Sequence, residues 1–177
     1  MPELPEVQTV TSQIAKKITG KRIAGFWSDW EKQVKPGLKK LSKLAIGGTV
    51  LGARRIGKHI IIDLDNDSSL VIHLKMSGHL LYKDAVNKDA KEWKDPMNRF
   101  IHHRIDFTDG SWVDFSDLRK FGWIDCVATS EVEAMKSIAS LGCDALSGEC
   151  NLDFFGALFK KNARKKVATR LLEQDKI

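Results

Sequence analysis

The first residues able to do chemistry stand at the amino terminus, where chains usually fray. The sequence opens MPELPEVQTV, with Pro2, Glu3, Pro5 and Glu6 in its first six positions. Pro5 and Glu6 suit a helix start, because a proline there forfeits no hydrogen bond and a carboxylate complements the positive end of the helix dipole. Helix capping accounts for that pair without chemistry, but not for Pro2 and Glu3, which precede the helix. Lys58 shares strand parity with Ile56, Ile60, Ile62 and Leu64. It either snorkels to water at a strand end, with Gly57 able to bulge the strand and reset the parity, or is a cation held at the rim of a cleft. In HLKMSG, Met76 follows the parity of Leu70, Ile72 and Leu74 until Ser77-Gly78 breaks it, so Met76 is either core or an apolar tip. His73 reads by default as a solvated imidazole. In DLRKFGW, Arg119 and Phe121 alternate beside a glycine. Exposed, such a pair would wedge into a base stack, the ring entering and the guanidinium taking base edges; otherwise Phe121 is simply buried.

These residues need elements to hold them. From Pro5 the apolar positions Val7, Val10, Ile14 and Ile18 recur at helical spacing, predicting a helix over 5–19 that Gly20 ends. A lysine-rich stretch up to Lys43 reads as loop or short strand edges. TVLGARRIGKHIIIDL and SLVIHLKMSGHLLY are β-rich segments joined by a turn at Asn66-Asp67-Ser68. Residues 84–98 read as a mobile loop. A second hairpin, RIDFTDGSWVDFSD, turns at Asp109-Gly110, and its register is open. A two-residue turn pairs Phe107 with Trp112, whereas the alternation of Ile105, Phe107, Val113 and Phe115 prefers a longer loop. Ser130 and Glu133 form a capping box before Val132, Met135, Ile138 and Leu141, a helix closed by Gly142. NLDFFGALFKK and KKVATRLLEQDKI read as two more helices. This order predicts an antiparallel sheet or sandwich flanked by helices, and the chain carries no dinucleotide-binding, Walker or H-E-x-x-H motif.

The 177 residues are 42% hydrophobic, enough for a sizeable core, and carry a formal charge of +6 with a pI near 9.2, which favours a polyanionic partner. No apolar run is long enough to span a bilayer and the start lacks a basic-then-apolar leader, so no membrane and a cytoplasmic site are expected. Cys126, Cys143 and Cys150 are odd in number and lack C-x-x-C spacing. They read as three ordinary thiols, with no zinc site.

Together MPELPEV, RIGKHIII, HLKMSG and DLRKFG, in this order and spacing, resemble the amino-terminal domain of the bacterial formamidopyrimidine-DNA glycosylase family, which repairs 8-oxoguanine and is related to endonuclease VIII. LGCDAL and LLEQDKI resemble its later segments, so the resemblance runs over essentially the whole chain. Leu4 favours the formamidopyrimidine branch, because the endonuclease VIII branch usually carries glycine there. The resemblance implies a mainly β fold with flanking helices, a two-layer antiparallel β-sandwich with an N-terminal helix. It makes 1–150 the catalytic domain and 151–177 a helical segment leading to a helix–two-turns–helix and zinc-finger domain, expected to be absent from a truncated chain.

The implied function is base-excision repair: removal of oxidised purines, 8-oxoguanine and formamidopyrimidines, with coupled apurinic-site lyase activity by β,δ-elimination. The implied nucleophile is the secondary amine of Pro2, freed when Met1 is removed. An α-amino group titrates near ~8, about two units below lysine, so a useful fraction is neutral without tuning. Glu3 is then the general acid at the sugar ring oxygen. Glu6 orients the terminus. Lys58 and His73 contact phosphates, Lys58 also lying close to the reaction, and Met76, Arg119 and Phe121 fill the hole left by the extruded base. The expected partner is damaged double-stranded DNA, met by a monomer in the bacterial cytoplasm in association with the nucleoid. No cofactor or metal is expected in this chain, because the family zinc finger belongs to the missing domain. RFIHHR departs from the family's two histidines separated by one residue, so His102 and His103 receive no role. The alternative is a catalytically inactive, truncated DNA-binding or scaffolding module of the same fold, and the truncation predicts poor activity or none.

Overall fold

The computed structural model describes residues 2–88, 91–160 and 166–173. It divides into two compact units, one reaching Val132 and one beginning at Glu133. The first unit opens with helix α1 (Leu4–Ile18), which buries Val7, Thr11, Ile14 and Ile18. The stripe is the expected one except that Thr11 takes the central place of Val10. Its hydroxyl is satisfied by donating to the Val7 carbonyl at 2.7 Å.

The strands in chain order are β1 (Ile23–Ser28), β2 (Val34–Lys35), β3 (Val50–Ile56), β4 (His59–Leu64), β5 (Ser68–His73), β6 (His79–Lys83), β7 (Ile101–Phe107), β8 (Trp112–Ser116) and β9 (Trp123–Ala128). They make two sheets, ordered β1-β7-β8-β6 and β2-β9-β5-β4-β3. Neighbours are antiparallel except the short β2–β9 pair, which is parallel. Ile60, Ile62, Leu70, Ile72 and Ile124 of one sheet join Ile105, Phe107, Val113 and Phe115 of the other, with Val7, Ile14 and Ile18 of α1, in one buried cluster. The expected sandwich with an N-terminal helix is present.

Several local expectations change. TVLGARRIGKHIIIDL is two strands: Ile56 pairs with His59, and Gly57-Lys58 is the turn between β3 and β4, with Gly57 at φ 55°. Lys58 therefore escapes the core because it stands in a turn, and strand parity does not apply to it. SLVIHLKMSGHLLY supplies β5 to one sheet and β6 to the other, crossing between them through residues 74–78. The second hairpin takes the longer loop, with Ile105 opposite Val113 and the Phe107 N–H donating to the Ser111 carbonyl at 2.9 Å.

The lysine-rich stretch holds β2 and a helix, α2 (Leu38–Ala45), because Leu41 and Ala45 share one buried face. Residues 84–98 contain 3-10 turns at Lys91–Lys94 and Pro96–Arg99. His102 and His103 are both buried, because a register shift between Ile101 and His103 turns successive side chains inward. His102 meets Asp29 and His103 meets Ser28, each through Nδ1 at 2.8 Å.

The helix expected from the capping box shrinks to α3 (Lys136–Ala139). Thr129–Glu131 forms a 3-10 turn, and Met135 is extended at ψ 129°, so one continuous helix cannot form. A ten-residue apolar stripe is marginal for helix formation by itself. Helices α4 (Leu152–Lys160) and α5 (Val167–Leu171) follow as expected, the last residues of the chain lying outside the described ones. Cys143 and Cys150 are joined as a disulfide, contrary to the reading of three free thiols. A local turn brings the two together at a spacing that the C-x-x-C test overlooks. Cys126 is free and buried. No helix among the described residues is long and apolar enough to cross a membrane.

Candidate nucleic-acid interface

The N-terminus of α1 lies against the turn between β3 and β4. Glu3 ends the extended lead-in to the helix, and its N–H donates to the Glu6 carboxylate at 3.1 Å. The Glu3 carboxylate meets the Lys58 ammonium at 2.5 Å. A second tie runs parallel: Arg55 donates through Nε to the Gln8 side-chain carbonyl at 2.9 Å and through Nη1 to the Gly57 carbonyl at 2.8 Å. Arg55 thus holds the turn that presents Lys58 and the helix that presents Glu3. Pro2, half-buried, is the adjacent residue. Gln8 and Arg55 escaped the sequence reading because each looks like an ordinary surface polar residue.

His73 joins this corner from the end of β5, opposite His59 in the strand pair. It is half-buried rather than fully solvated. The Lys75 N–H donates to His73 Nδ1 at 3.0 Å, so a neutral ring carries its proton on Nε2 and offers that N–H outward. Burial, then the charges of His59, Lys75 and Lys58, hold His73 down to about 3. The ring is a neutral donor near pH 7. His59 beneath it is held to about 4, mainly by burial. Its Nε2 has no hydrogen-bond partner among the described residues.

Beyond Lys75 the chain reaches Met76, and a second loop, 117–122, comes alongside from the end of β8. Arg119 Nη1 lies 2.9 Å from Met76 Sδ, and the guanidinium sits 4.7 Å from the centroid of the Phe121 ring. Met76 and Phe121 are 46% and 48% exposed, which rejects the core alternative for both. One buried carboxylate holds the two loops together. Asp117 accepts hydrogen bonds from the Ser77 hydroxyl and from the N–H groups of Arg119, Phe121 and Gly122 at 3.1, 2.8 and 2.7 Å. Ser77 Oγ in turn accepts from the Arg119 N–H at 3.1 Å.

Glycines bring the loops this close. A Cβ on Gly78 would stand 2.6 Å from the Phe115 ring, and one on Gly122 would also collide with that ring. Among the described residues three non-glycines have positive φ, and two of them, Lys75 at 55° and Lys120 at 56°, fall in these two loops, a conformation uncommon for residues other than glycine. Asp117 was in plain view in DLRKFG. Its signal is an aspartate followed by backbone N–H groups two, four and five residues on, the pattern of an Asx-type loop.

The structure therefore brings Glu3, Lys58 and His73 into one corner, with Pro2 and Glu6 beside Glu3 in the chain, and gathers Met76, Arg119 and Phe121 into one exposed group that begins at the residue after Lys75. Among the described residues no group of three or more His, Cys, Asp or Glu side chains is placed to hold a metal ion.

Comparison with known proteins identifies the family of the chain. Residues 1–124 match the family model described as the formamidopyrimidine-DNA glycosylase N-terminal domain. A formamidopyrimidine-DNA glycosylase of Lactococcus lactis subsp. cremoris is 33% identical over 177 residues, a match covering 98% of this chain and 60% of that protein. One from Chloroflexus aggregans is 32% identical over 171 residues, covering 95% and 56%. Among solved structures, the Lactococcus lactis enzyme bound non-covalently to DNA containing an AP site superposes with a TM-score of 0.79 at 29% identity, covering 98% of this chain and 63% of that one. Its complex with THF-DNA and an inhibitor gives 0.82 at 28% identity, covering 98% and 61%. The chain spans about 60% of the length of the curated relatives it matches.

Proposed function

Since the chain belongs to the formamidopyrimidine-DNA glycosylase family, we propose that it performs base-excision chemistry on damaged duplex DNA through the amine of Pro2. The observation that carries this reading is the Glu3–Lys58 contact at 2.5 Å beside His73. It gives the reading an acid, a cation and a neutral donor in one corner, and Glu3 is the chain neighbour of Pro2, whose nitrogen becomes a free secondary amine once Met1 is removed.

In this reading the Pro2 nitrogen attacks the sugar C1′ of an extruded, oxidised purine nucleotide, the bond from C1′ to the base breaks, and the base leaves as an anion that takes a proton from water. The Glu3 carboxylate accepts the proton that the Pro2 nitrogen gives up and, now as an acid, passes it to the ring oxygen; the sugar opens, and the nitrogen and C1′ become an iminium. The iminium acidifies the neighbouring C2′ protons. Loss of one expels the 3′ phosphate, and a further elimination expels the 5′ phosphate. Lys58 contacts a phosphate next to the lesion, exchanging its bond to Glu3 for one to the backbone and freeing the carboxylate as the ligand arrives. His73 donates to a second phosphate without carrying charge, and Glu6 keeps the terminus oriented. Met76, Arg119 and Phe121 occupy the space left in the stack, where an apolar surface and a guanidinium replace the lost base. The same reading places the protein on the chromosome, in the bacterial cytoplasm, as a monomer and without a cofactor in this part of the chain.

The test is borohydride trapping on duplex DNA with a single abasic site, at low salt, using protein with Met1 removed. A covalent adduct is expected, and none when Met1 is retained, because the Pro2 nitrogen is then a tertiary amide. An adduct of equal yield from the Met1-retaining protein would assign the chemistry to another amine, and no adduct from either would leave a DNA-binding module.

A further inference from the structure

Outside the corner and the wedge, one group of side chains has a composition that neither explains. Trp30, at the start of the turn before β2, carries two lysines on its ring: Lys120 Nζ lies 4.5 Å from the ring centroid and Lys32 Nζ 5.4 Å. The Gln33 side-chain amide donates to the Lys120 carbonyl at 3.4 Å, joining this turn to the wedge loop. Neither Lys32 nor Lys120 has a carboxylate within ion-pair distance among the described residues. Lys35 repeats the arrangement over Trp123 at 5.7 Å, although Asp125 stands opposite it in the β2–β9 pair. The Trp123 ring in turn lies 5.9 Å from His73.

We infer that Trp30, Lys32 and Lys120 form a second phosphate-binding patch, which grips the DNA backbone beside the wedge. The inference rests on the glycosylase reading for the identity of its ligand. Lys120 is the residue between Arg119 and Phe121, so any duplex that admits the Phe121 ring brings its backbone past the Lys120 ammonium. An unanchored lysine would sweep a wide volume there. Resting on the Trp30 face, it surrenders little further freedom when a phosphate arrives, and the ring attracts the ammonium without neutralising it. Lys32 on the same ring doubles the charge. The patch carries no hydrogen-bond code for base edges, so it adds affinity and register without sequence preference.

Salt dependence separates this role from solvated surface charge. Each phosphate neutralised contributes about 0.9 to the slope of log affinity against log salt. The affinity of the 177-residue chain for a duplex with an abasic-site analogue is measured by fluorescence anisotropy between 50 and 200 mM KCl, for the wild type, a Lys32→Gln/Lys120→Gln variant and a Lys32→Arg/Lys120→Arg variant. The glutamine pair is expected to lower the slope by about 1.8, so that its deficit against the wild type narrows roughly tenfold across that range. The arginine pair keeps the wild-type slope, and each single glutamine variant lowers it by about half as much. Equal slopes for the glutamine pair and a wild type that binds would overturn the patch and leave the glycosylase reading standing. A reduced slope with no borohydride adduct from the wild type would overturn the chemistry and keep the patch. No binding by the wild type at 50 mM would overturn both.

Discussion

The two halves of the candidate interface are fastened by opposite means. At the amino-terminal corner the decisive contact is an ion pair whose Glu3 side chain is 53% exposed, so water and incoming phosphates compete for both partners. At the wedge the decisive group is Asp117, 3% exposed, whose carboxylate is consumed by one hydroxyl and three backbone N–H groups. An exposed pair of this kind stabilises the fold by less than about 1 kcal/mol. A buried carboxylate with four donors is worth several times more, because removing it strands the donors as well. On the proposed reading, chemistry requires partners that can be exchanged, and a wedge that must push between stacked bases requires partners that cannot. The difference in burial fits that proposed difference in task.

The largest expected effect would break the comparison at its exchangeable end. Lys58→Gln should lower the yield of trapped adduct on abasic-site duplex by about 100-fold, the scale of losing one charge-stabilising donor at a reacting centre. The melting temperature should stay within a degree or two. A large fall in melting temperature would mean that the corner is structural after all.

Asp117→Asn tests the other end. The amide keeps the shape but turns N–H groups toward N–H groups, so a loss of about 2–3 kcal/mol in chemical unfolding is expected. The variant's preference for duplex over single-stranded abasic DNA should disappear, because single strands leave no hole to fill. If stability falls while the duplex preference survives, the carboxylate braces the fold without aiming the wedge.

The smallest effect is a slope. His59 is held at about 4 in the folded protein by burial, against about 6.5 when unfolded. Above pH 6.5 neither state binds the proton and stability is complete. As the pH falls from 6.5 toward 4 the unfolded chain takes up a proton that the fold refuses, and stability declines. His73 and His103, held at about 3 and 4, act in the same direction. His59→Phe should therefore flatten the acid limb of stability by at most about 1.4 kcal/mol per pH unit, read from unfolding midpoints at pH 7, 6 and 5. An unchanged limb would show that His59 is protonated in the fold.

How much of this was legible in the sequence depended on what each contact is made of. The α1 stripe and the turn at Asn66-Asp67 could be read because side-chain type and spacing specify them, whereas spacing left Met76 and Phe121 open between core and surface, and their exposure came from the fold. Lys58 was singled out by strand parity, a geometry that does not apply to it, since Gly57 at φ 55° ends the strand and leaves Lys58 in the turn beside Glu3. Asp117 could not be weighed, because its partners are backbone N–H groups that every residue possesses and only the fold aims at one point. The same holds for Trp30, which looks unremarkable until the wedge loop lays Lys120 across it. The helix expected over 131–141 failed because a capping box and a short apolar stripe describe a local preference, which Met135 in an extended conformation overrides.

The position of β9 sets an order of assembly. This strand begins at Trp123, directly after the wedge loop, and lies between β2 and β5, one strand in from the edge of its sheet. During synthesis, Pro2, Glu3, Lys58 and His73 all leave the ribosome before it does. At about 5–20 residues per second, the stretch from Lys58 to Ala128 takes several seconds to make. Over that interval β5, whose residues Ser68–Ile72 are all buried in the finished protein, has an open edge awaiting its partner. Nascent chains and fragments that stop before residue 123 thus possess the residues of the corner but expose an unpaired apolar strand, the kind of edge that recruits other chains. The strand that seals the sheet directly follows the loop that carries Arg119 and Phe121.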